Sequence, residues 1–260
     1  MIIDINTYCG YWPFRALRDE TLDSLDIIGQ QSGITHMLVS SLGGIFYKDV
    51  HQANRQLYAD MQSYRGGVKF LPFAFVNPNY VCWELDMREA IEQFGFCGIE
   101  LSPKYHGYSL NSPAACEAAK IAASYRIPVR LNAGFENYRQ RHHIDTYEDA
   151  FTATELTAFV ASCPDTIFLI NGVTPSTLGD EMRCLLSTRE NIFFDITQLD
   201  SFMLQTLEAA VNYMGERHLC FGSLAPFQYI HPNLVKVVLS GAVTPEKVFA
   251  ENIRGYLRVE

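Results

Sequence analysis

Two acidic side chains stand at the ends of apolar segments, where a buried carboxyl group can act as a proton donor or acceptor. Asp195 lies in the segment 193–197 and Glu100 in the segment 98–103. Burial raises the pKa of a carboxyl group, which suits general acid–base chemistry. We therefore predict Asp195 and Glu100 as catalytic residues. The alternatives are that Asp195 caps a loop or is held by a basic residue, and that Glu100 forms a salt bridge with Arg130.

A second set of polar side chains could bind a substrate: Asn6, Tyr8, Asn132, Asn171, Arg139 and His142. Amide and phenol groups bind small polar molecules through hydrogen bonds, and a guanidinium can hold a carboxylate through paired bonds. As alternatives, the asparagines could satisfy one another, or their oxygens could hold a hard cation such as calcium or magnesium. His142, beside His143 in a charged loop, could simply be solvated.

Eight short segments must position these side chains. Each is rich in β-branched or aromatic residues and nearly continuous in apolarity, as strands buried on both faces are. The predicted strands are 1–6, 35–41, 69–76, 97–102, 128–133, 167–173, 192–196 and 219–222.

Segments with helical periodicity follow the predicted strands. They are 22–31, 50–64, 83–94, 112–125, 154–161, 178–186, 200–214, 232–239 and 244–256. Two of them begin with an N-cap residue followed by proline, at Ser112 and at Thr244, as helices often do. This alternation predicts an α/β fold, a (β/α)8 TIM barrel in a single domain over residues 1–260. A doubly wound sheet is the second choice, but the glycine-rich phosphate turn is missing after the first strand.

Composition limits the classes of partner. The 260 residues carry a net charge of −9, which disfavours binding to a nucleic acid. No apolar stretch approaches ~18 residues and no signal peptide is apparent, so we expect no membrane association. The seven cysteines are scattered without a Cys-x-x-Cys pair, which indicates free thiols in a reducing cytoplasm.

Five segments together resemble the amidohydrolase superfamily, in its branch of amidohydrolase-related hydrolases and decarboxylases. They are 3–10, 98–103, 127–134, 168–172 and 220–227, and the segment 245–253 is similar to that family's last helix. The resemblance covers essentially the whole chain and implies a metal-dependent TIM barrel. It also allows a homodimer, since relatives of this kind often pair.

The family's site residues are replaced in this sequence. The resemblance implies two histidine ligands on the first strand, one histidine each on the fifth and sixth, and an aspartate on the eighth. The residues at these positions are Asn6, Tyr8, Asn132, Asn171 and Leu224. Zinc prefers imidazole, thiolate and carboxylate ligands, and a buried aspartate without a cation is costly. We therefore expect no metal and no other cofactor.

Three functions remain open. The first is an amidohydrolase-like barrel without the family metal site that binds a small polar molecule at the carboxyl ends of the strands, with weak or no hydrolase activity. The second is an active, metal-independent hydrolase or lyase that uses Asp195 or Glu100 on a lactone, ester or carboxylate. The third is a non-catalytic scaffold subunit, which a mouth filled by side chains would favour. The aromatic segment 11–15 could cover such a mouth or fill it.

Overall fold

Eight parallel strands follow one another around the sheet in chain order, from β1 to β8. The computed structural model describes residues 1–136, 142–143, 145, 151–199 and 205–258. The strands are β1 Ile3–Cys9, β2 His36–Ser41, β3 Lys69–Val76, β4 Gly98–Leu101, β5 Val129–Asn132, β6 Phe168–Asn171, β7 Ile192–Asp195 and β8 Leu219–Cys220.

Helices alternate with the strands and surround them. They are α1 Leu22–Gln31, α2 Gly43–Phe46, α3 Val50–Ser63, α4 Trp83–Glu92, α5 Pro103–His106, α6 Pro113–Ser124, α7 Ala153–Ser162, α8 Asp180–Thr188, α9 Gln205–Met214, α10 Ile230–Leu239 and α11 Asn252–Arg254. Short 3-10 turns span Pro175–Thr177 and Glu216–His218, and a π-helical turn spans Lys247–Glu251. Within the described parts of the chain, no helix is both long and apolar enough to cross a membrane.

Local sequence explains where several helices begin. The Thr21 side chain accepts a hydrogen bond from the Ser24 amide and starts α1 with a capping box. The Ser112 hydroxyl accepts from the Ala115 amide, and proline occupies the next position of α6. A capping side chain satisfies an amide that has no partner inside the helix, and proline loses nothing there.

The barrel closes between β1 and the chain that follows β8. The Ile5 amide donates to the Phe221 carbonyl at 3.0 Å, the Leu224 amide to the Asn6 carbonyl at 2.8 Å, and the Tyr8 amide to the Ala225 carbonyl at 2.9 Å. The β1–β2 register shifts between Asp4 and Thr7, and such a bulge changes which groups face the barrel axis.

The predicted TIM barrel is confirmed, and several predicted boundaries are corrected. β8 contains only Leu219–Cys220 rather than 219–222, since the chain there bonds to β1 as an irregular segment. The helix predicted at 244–256 is a π-helical turn followed by the three residues of α11. Helices α2 and α5, each of four residues, were not predicted from the sequence.

A fully buried ion pair lies inside the barrel. The Arg130 Nε and Nη2 atoms donate to Glu100 Oε2 at 2.9 and 2.6 Å, and both side chains are 0% exposed. The Arg130 Nη1 atom donates to the carbonyls of Ile5 and Leu38 at 3.2 and 2.8 Å, and Nη2 also donates to the Ser40 hydroxyl. Arg130 therefore connects β1, β2, β4 and β5 from the inside.

Removal of one member of this pair should destabilise the protein strongly. We expect Arg130→Met to lower the free energy of unfolding by about 3–5 kcal/mol, because it leaves the Glu100 carboxylate buried without its partner. Adding Glu100→Gln to that variant should recover part of the loss, since the uncompensated charge is then gone. Denaturant unfolding followed by circular dichroism measures both effects.

The matched control is Arg55→Met. Arg55 is half-exposed and pairs with Glu89 at 3.1 Å on the surface, so its loss should cost less than about 1 kcal/mol. Equal losses in the Arg130 and Arg55 variants would show that the buried pair does not organise the barrel.

Candidate functional site

Asp195 lies at the end of β7, inside the barrel mouth, and is 1% exposed. Its Oδ2 atom accepts hydrogen bonds from the Thr197 hydroxyl and, at 2.7 Å, from Asn6 Nδ2. Its Oδ1 atom accepts from the Gly172 amide at 2.8 Å. Burial raises the pKa of this carboxyl group, and its hydrogen bonds partly oppose that rise. The structure therefore brings together the predicted residues Asp195 and Asn6.

Gly222 allows the chain after β8 to approach Asp195 closely. A Cβ atom at position 222 would lie 2.8 Å from the Asp195 Cβ and 3.1 Å from the Asn6 Cβ. The distance to Asp195 is shorter than real Cβ contacts, so an alanine would have to displace the buried Asp195 side chain and would also press on Asn6. The packing of this half of the mouth thus depends on the absence of a side chain at position 222.

Asn6 and Asn171 each have a buried side-chain oxygen without a partner in the described parts of the chain. Both residues are 0% exposed, and neither Oδ1 atom has a hydrogen-bond donor there. The Asn171 Nδ2 atom donates weakly to the Ile5 carbonyl at 3.4 Å, on the bulged part of β1. Because an unsatisfied buried acceptor costs roughly 1–3 kcal/mol, these two oxygens are places where a donor would bind.

The other predicted residues form a second network around the buried ion pair. The Tyr8 hydroxyl donates to Glu100 Oε1 at 2.9 Å and accepts from Asn132 Nδ2 at 2.8 Å. The Asn132 Oδ1 atom accepts from the Gly134 amide at 3.1 Å. The salt bridge between Glu100 and Arg130, offered above as the alternative to a catalytic role, is formed. A catalytic role for Glu100 stays a prediction.

Asp4 belongs to the site but was not singled out from the sequence. It is 0% exposed, and its Oδ1 atom accepts from the amides of Asn6 and Ser223 at 3.1 and 3.0 Å. By hydrogen-bond geometry, its Oδ2 atom has no partner among the described residues, although the nearby Ser223 side chain partly stabilises the charged carboxylate. Burial, reinforced by the charge of Asp195, raises the Asp4 pKa to about 7. The available signal was an acidic residue inside an apolar strand, two positions before Asn6.

An aromatic cover lies over these networks. We use this name for the cluster of Trp12, Phe14, Phe46, Tyr105, Phe135 and Phe227. Trp12 is 0% exposed, and the other five rings lie 5.0–6.3 Å from it. An ion pair between Arg15 and Glu136 connects the loop after β1 to the loop after β5, and Arg15 also donates to the Phe227 carbonyl at 3.1 Å. The mouth is therefore closed by side chains.

The two predicted residues of the loop after β5 have different outcomes. His142 is half-buried, and its ring stacks on Phe14 at 6.5 Å, at the cover rather than beside Asp195. Arg139 lies outside the described residues. The substrate-binding roles of both residues stay predictions.

A separate group of possible metal ligands lies outside the barrel wall. His51 on α3, with Asp86 and Glu89 on α4, places one ligand atom per residue within 4.8 Å of the others. The His51 Nε2 atom already lies 2.7 Å from Glu89 Oε2, and Arg55 also pairs with Glu89. This cluster does not include any residue of the barrel mouth.

Comparison with known sequences identifies a family. A sequence model described as Amidohydrolase matches residues 15–228. A comparison with curated proteins finds no match.

Solved structures share the barrel at low sequence identity. A 2,6-dihydroxybenzoate decarboxylase, complexed with 2,6-dihydroxybenzoate, is similar with a TM-score of 0.72 and 15% identity over 98% of each chain. A dihydroxybenzoic acid decarboxylase from Polaromonas sp. JS666, with bound manganese and 2-nitroresorcinol, has a TM-score of 0.71 and 11% identity over 98% of this chain and 96% of that one. A 4-oxalomesaconate hydratase from Rhodopseudomonas palustris has a TM-score of 0.70 and 17% identity over 98% and 95%.

The buried Asp4 carboxyl group should make stability depend on pH. Its pKa is about 7 in the folded chain against an ordinary 3.8, so the folded state binds this proton more tightly than the unfolded state. The contribution of Asp4 to stability is therefore most favourable below pH 4 and is lost as the pH rises to about 7. Asparagine at position 4 has the shape of aspartate but does not ionise. As the pH rises through this window, the free energy of unfolding of Asp4→Asn should therefore increase by a few kcal/mol relative to that of the natural chain.

Unfolding midpoints of both proteins, measured from pH 4 to pH 8, check this expectation. The stability difference between the two chains isolates Asp4 from the other titrating groups. A difference that stays constant over the window would contradict the raised pKa.

Proposed function

The chain belongs to the amidohydrolase family, and from this premise we propose that it is a barrel that has lost the family metal site. We propose that its mouth binds a small polar molecule and that it has weak or no hydrolase activity. The observation that carries the proposal is the pair of unpartnered, fully buried oxygens on Asn6 and Asn171. Buried acceptors in native proteins nearly always have a donor, and a guest that carries donor groups would supply one to each oxygen.

The side chains at the family's ligand positions do not fit a transition metal. The amide nitrogens of Asn6 and Asn132 point at Asp195 and Tyr8 as donors. Burial raises the pKa of Tyr8 well above its ordinary range, so its hydroxyl stays a phenol rather than a phenolate ligand. Leu224 packs in the cluster beneath the aromatic cover. Zinc requires imidazole, thiolate or carboxylate ligands, and this set supplies none of them.

The free groups of the mouth select the chemistry of the guest. Among the described residues, Asn6 Oδ1, Asn171 Oδ1 and Asp4 Oδ2 lack a hydrogen-bond partner. The buried cationic groups of Arg130 and Lys236 are already bound to other groups of the protein. A carboxylate such as 2,6-dihydroxybenzoate, bound in the decarboxylase structure, would meet these three oxygens inside the barrel, while the unpartnered indole N–H of Trp12 lies in the aromatic cover. We therefore propose a neutral or cationic guest that carries N–H or O–H groups.

The aromatic cover explains why little hydrolysis is expected. Asn6, Asn171 and Asp195 are each at most 1% exposed, so a guest is enclosed and exchanges only when the cover moves. Glu100 is held by Arg130, so Asp195 is the one of the two predicted acids that is not held in an ion pair with an arginine. Fast turnover needs rapid release of product, and a mouth closed by packed rings opposes it.

Two alternatives have support in the structure. The raised pKa of Asp195, caused by burial, favours an active enzyme in which this group transfers a proton, and Asp195→Asn would then abolish turnover. The filled mouth favours a non-catalytic scaffold, which would hold no guest at all.

We expect purified protein to carry a small molecule, released on denaturation, at roughly one per chain. Asn171→Leu should abolish its retention, because leucine offers no acceptor to the guest. Asn111→Leu, which changes an exposed asparagine, is the matched control and should retain it. Native mass spectrometry of the folded protein, followed by analysis of the denatured supernatant, measures the occupancy of all three proteins.

Elemental analysis of the same samples tests the loss of the metal site. The His51→Gln variant removes a possible ligand of the cluster outside the barrel, so it shows whether any bound metal lies there or in the mouth. A transition metal at about one per chain that persists in His51→Gln would contradict the proposal. A natural chain that carries neither a metal nor a small molecule would instead favour the non-catalytic scaffold function.

A further inference from the structure

A second cavity lies outside the barrel mouth, between the carboxyl ends of β1 and β2 and the helices α1 and α3. Its volume is about 600 Å³, within the range of small-molecule sites. We call it the side cavity. Its walls include Cys9 at the end of β1, Ser41 at the end of β2, and residues from the first turn of α1 and the middle of α3. None of Asn6, Asn171 and Asp195 lines it, so its chemistry is independent of the function proposed above.

The charges in the side cavity are all of one sign. Glu20, Asp23 and Asp60 line it, and the described residues of its wall include no lysine, arginine or histidine. Gln56 donates to Asp60 at 2.9 Å, while Asp23 and Asp60 are exposed. Three carboxylates around one concave space attract a cation, and low-dielectric walls strengthen that attraction.

Aromatic rings complete the wall. Tyr11, Phe46, Tyr47 and Tyr64 line the same space, and Tyr11 and Tyr47 are 68% and 47% exposed. The face of an aromatic ring attracts an ammonium group and also packs against an alkyl chain. An inorganic cation, which stays hydrated, gains little from such rings, so the combination favours an organic cation.

A buried thiol belongs to the wall of the cavity. Cys9 lines the cavity, is 5% exposed and packs with the main hydrophobic core. Burial, together with the charge of Asp60, raises the Cys9 pKa to about 12, so this group is a neutral thiol. The negative charge of the cavity therefore comes from the carboxylates alone.

We propose that the side cavity binds an aliphatic diamine or polyamine. The ammonium groups would be held by Glu20, Asp23 and Asp60, and the alkyl chain would lie against Tyr11 and Tyr47. The separate carboxylates suit a ligand with more than one charge, and the volume holds a chain rather than a single ammonium ion.

Calorimetric titration with three matched probes tests the proposal. Putrescine carries two ammonium groups, 1,4-butanediol has the same chain length without charge, and Mg²⁺ has the same charge without the chain. We expect saturable one-to-one binding of putrescine, weakened by added salt, and no saturable binding of the diol. Mg²⁺ should bind more weakly than putrescine.

Three variants assign the binding to the cavity. Asp60→Asn should weaken putrescine binding about threefold to tenfold, because one attractive charge is lost. Tyr11→Ala should weaken it about twofold to fivefold through the lost ring contact, and should leave Mg²⁺ unaffected. Glu181→Gln removes an exposed carboxylate on α8, away from the cavity, and should change nothing. Thermal unfolding of each variant confirms that it is folded.

Three results would overturn the proposal. The first is an absence of saturable putrescine binding to the natural chain. The second is an equal effect of Asp60→Asn and Glu181→Gln, which would indicate general attraction to an acidic surface. The third is Mg²⁺ binding as tight as putrescine binding together with an unchanged affinity in Tyr11→Ala, which would indicate an inorganic cation site.

Discussion

The buried charge of Arg130 is the constraint on which the barrel interior depends. A guanidinium without solvent must be surrounded by acceptors, and here they come from Glu100, Ser40 and the carbonyls of Ile5 and Leu38. The rings of Tyr8 and Phe73 lie 4.7 and 5.1 Å from the guanidinium carbon. The second oxygen of Glu100 then orients the Tyr8 hydroxyl, which in turn orients Asn132. The Arg130 guanidinium thus orients Glu100, Tyr8 and Asn132, which the sequence analysis predicted as catalytic or substrate-binding residues.

In the opposite part of the mouth, the buried ammonium of Lys236 donates to the Ile196 carbonyl and to the Asn233 side chain, and its charge acts on Asp195. Asp4 and Asp195 are both buried, and burial raises the pKa of each carboxyl group. In relatives with a metal, a dication could compensate such charges. Here the neutral amides of Asn6 and Asn171 and the alkyl group of Leu224 stand where the resemblance places the family's ligands. These replacements are consistent with our proposal that the family metal site has been lost, since without a dication an aspartate at position 224 would add another buried charge.

The sequence predicts the barrel well because strands buried on both faces leave continuous apolar runs. The positions of Asn171 and Asp195 at the ends of neighbouring strands also predict that these two residues lie close together. Asn6 lies in the middle of β1 and was singled out by the resemblance, which gives no ligand role to Asp4. The long-range bond from the Ser223 amide shows that Asp4 belongs to the site. The sequence does not decide whether the mouth is open or covered. Trp12 packs against Phe227, which is more than 200 residues away in the chain. For Glu100, the sequence allows either a buried acid with a raised pKa or a salt bridge with Arg130. It cannot distinguish the two.

The segment after β1 separates the mouth from the side cavity. Tyr11 and Pro13 line the side cavity, while Trp12 and Phe14 belong to the aromatic cover. Phe46 contributes to both, since it lines the side cavity and contacts the Trp12 ring at 5.3 Å. Any displacement of this segment that opens the mouth must therefore also move a wall of the side cavity. The two sites differ in chemistry, one offering neutral acceptors and the other carboxylates, but they share one piece of backbone.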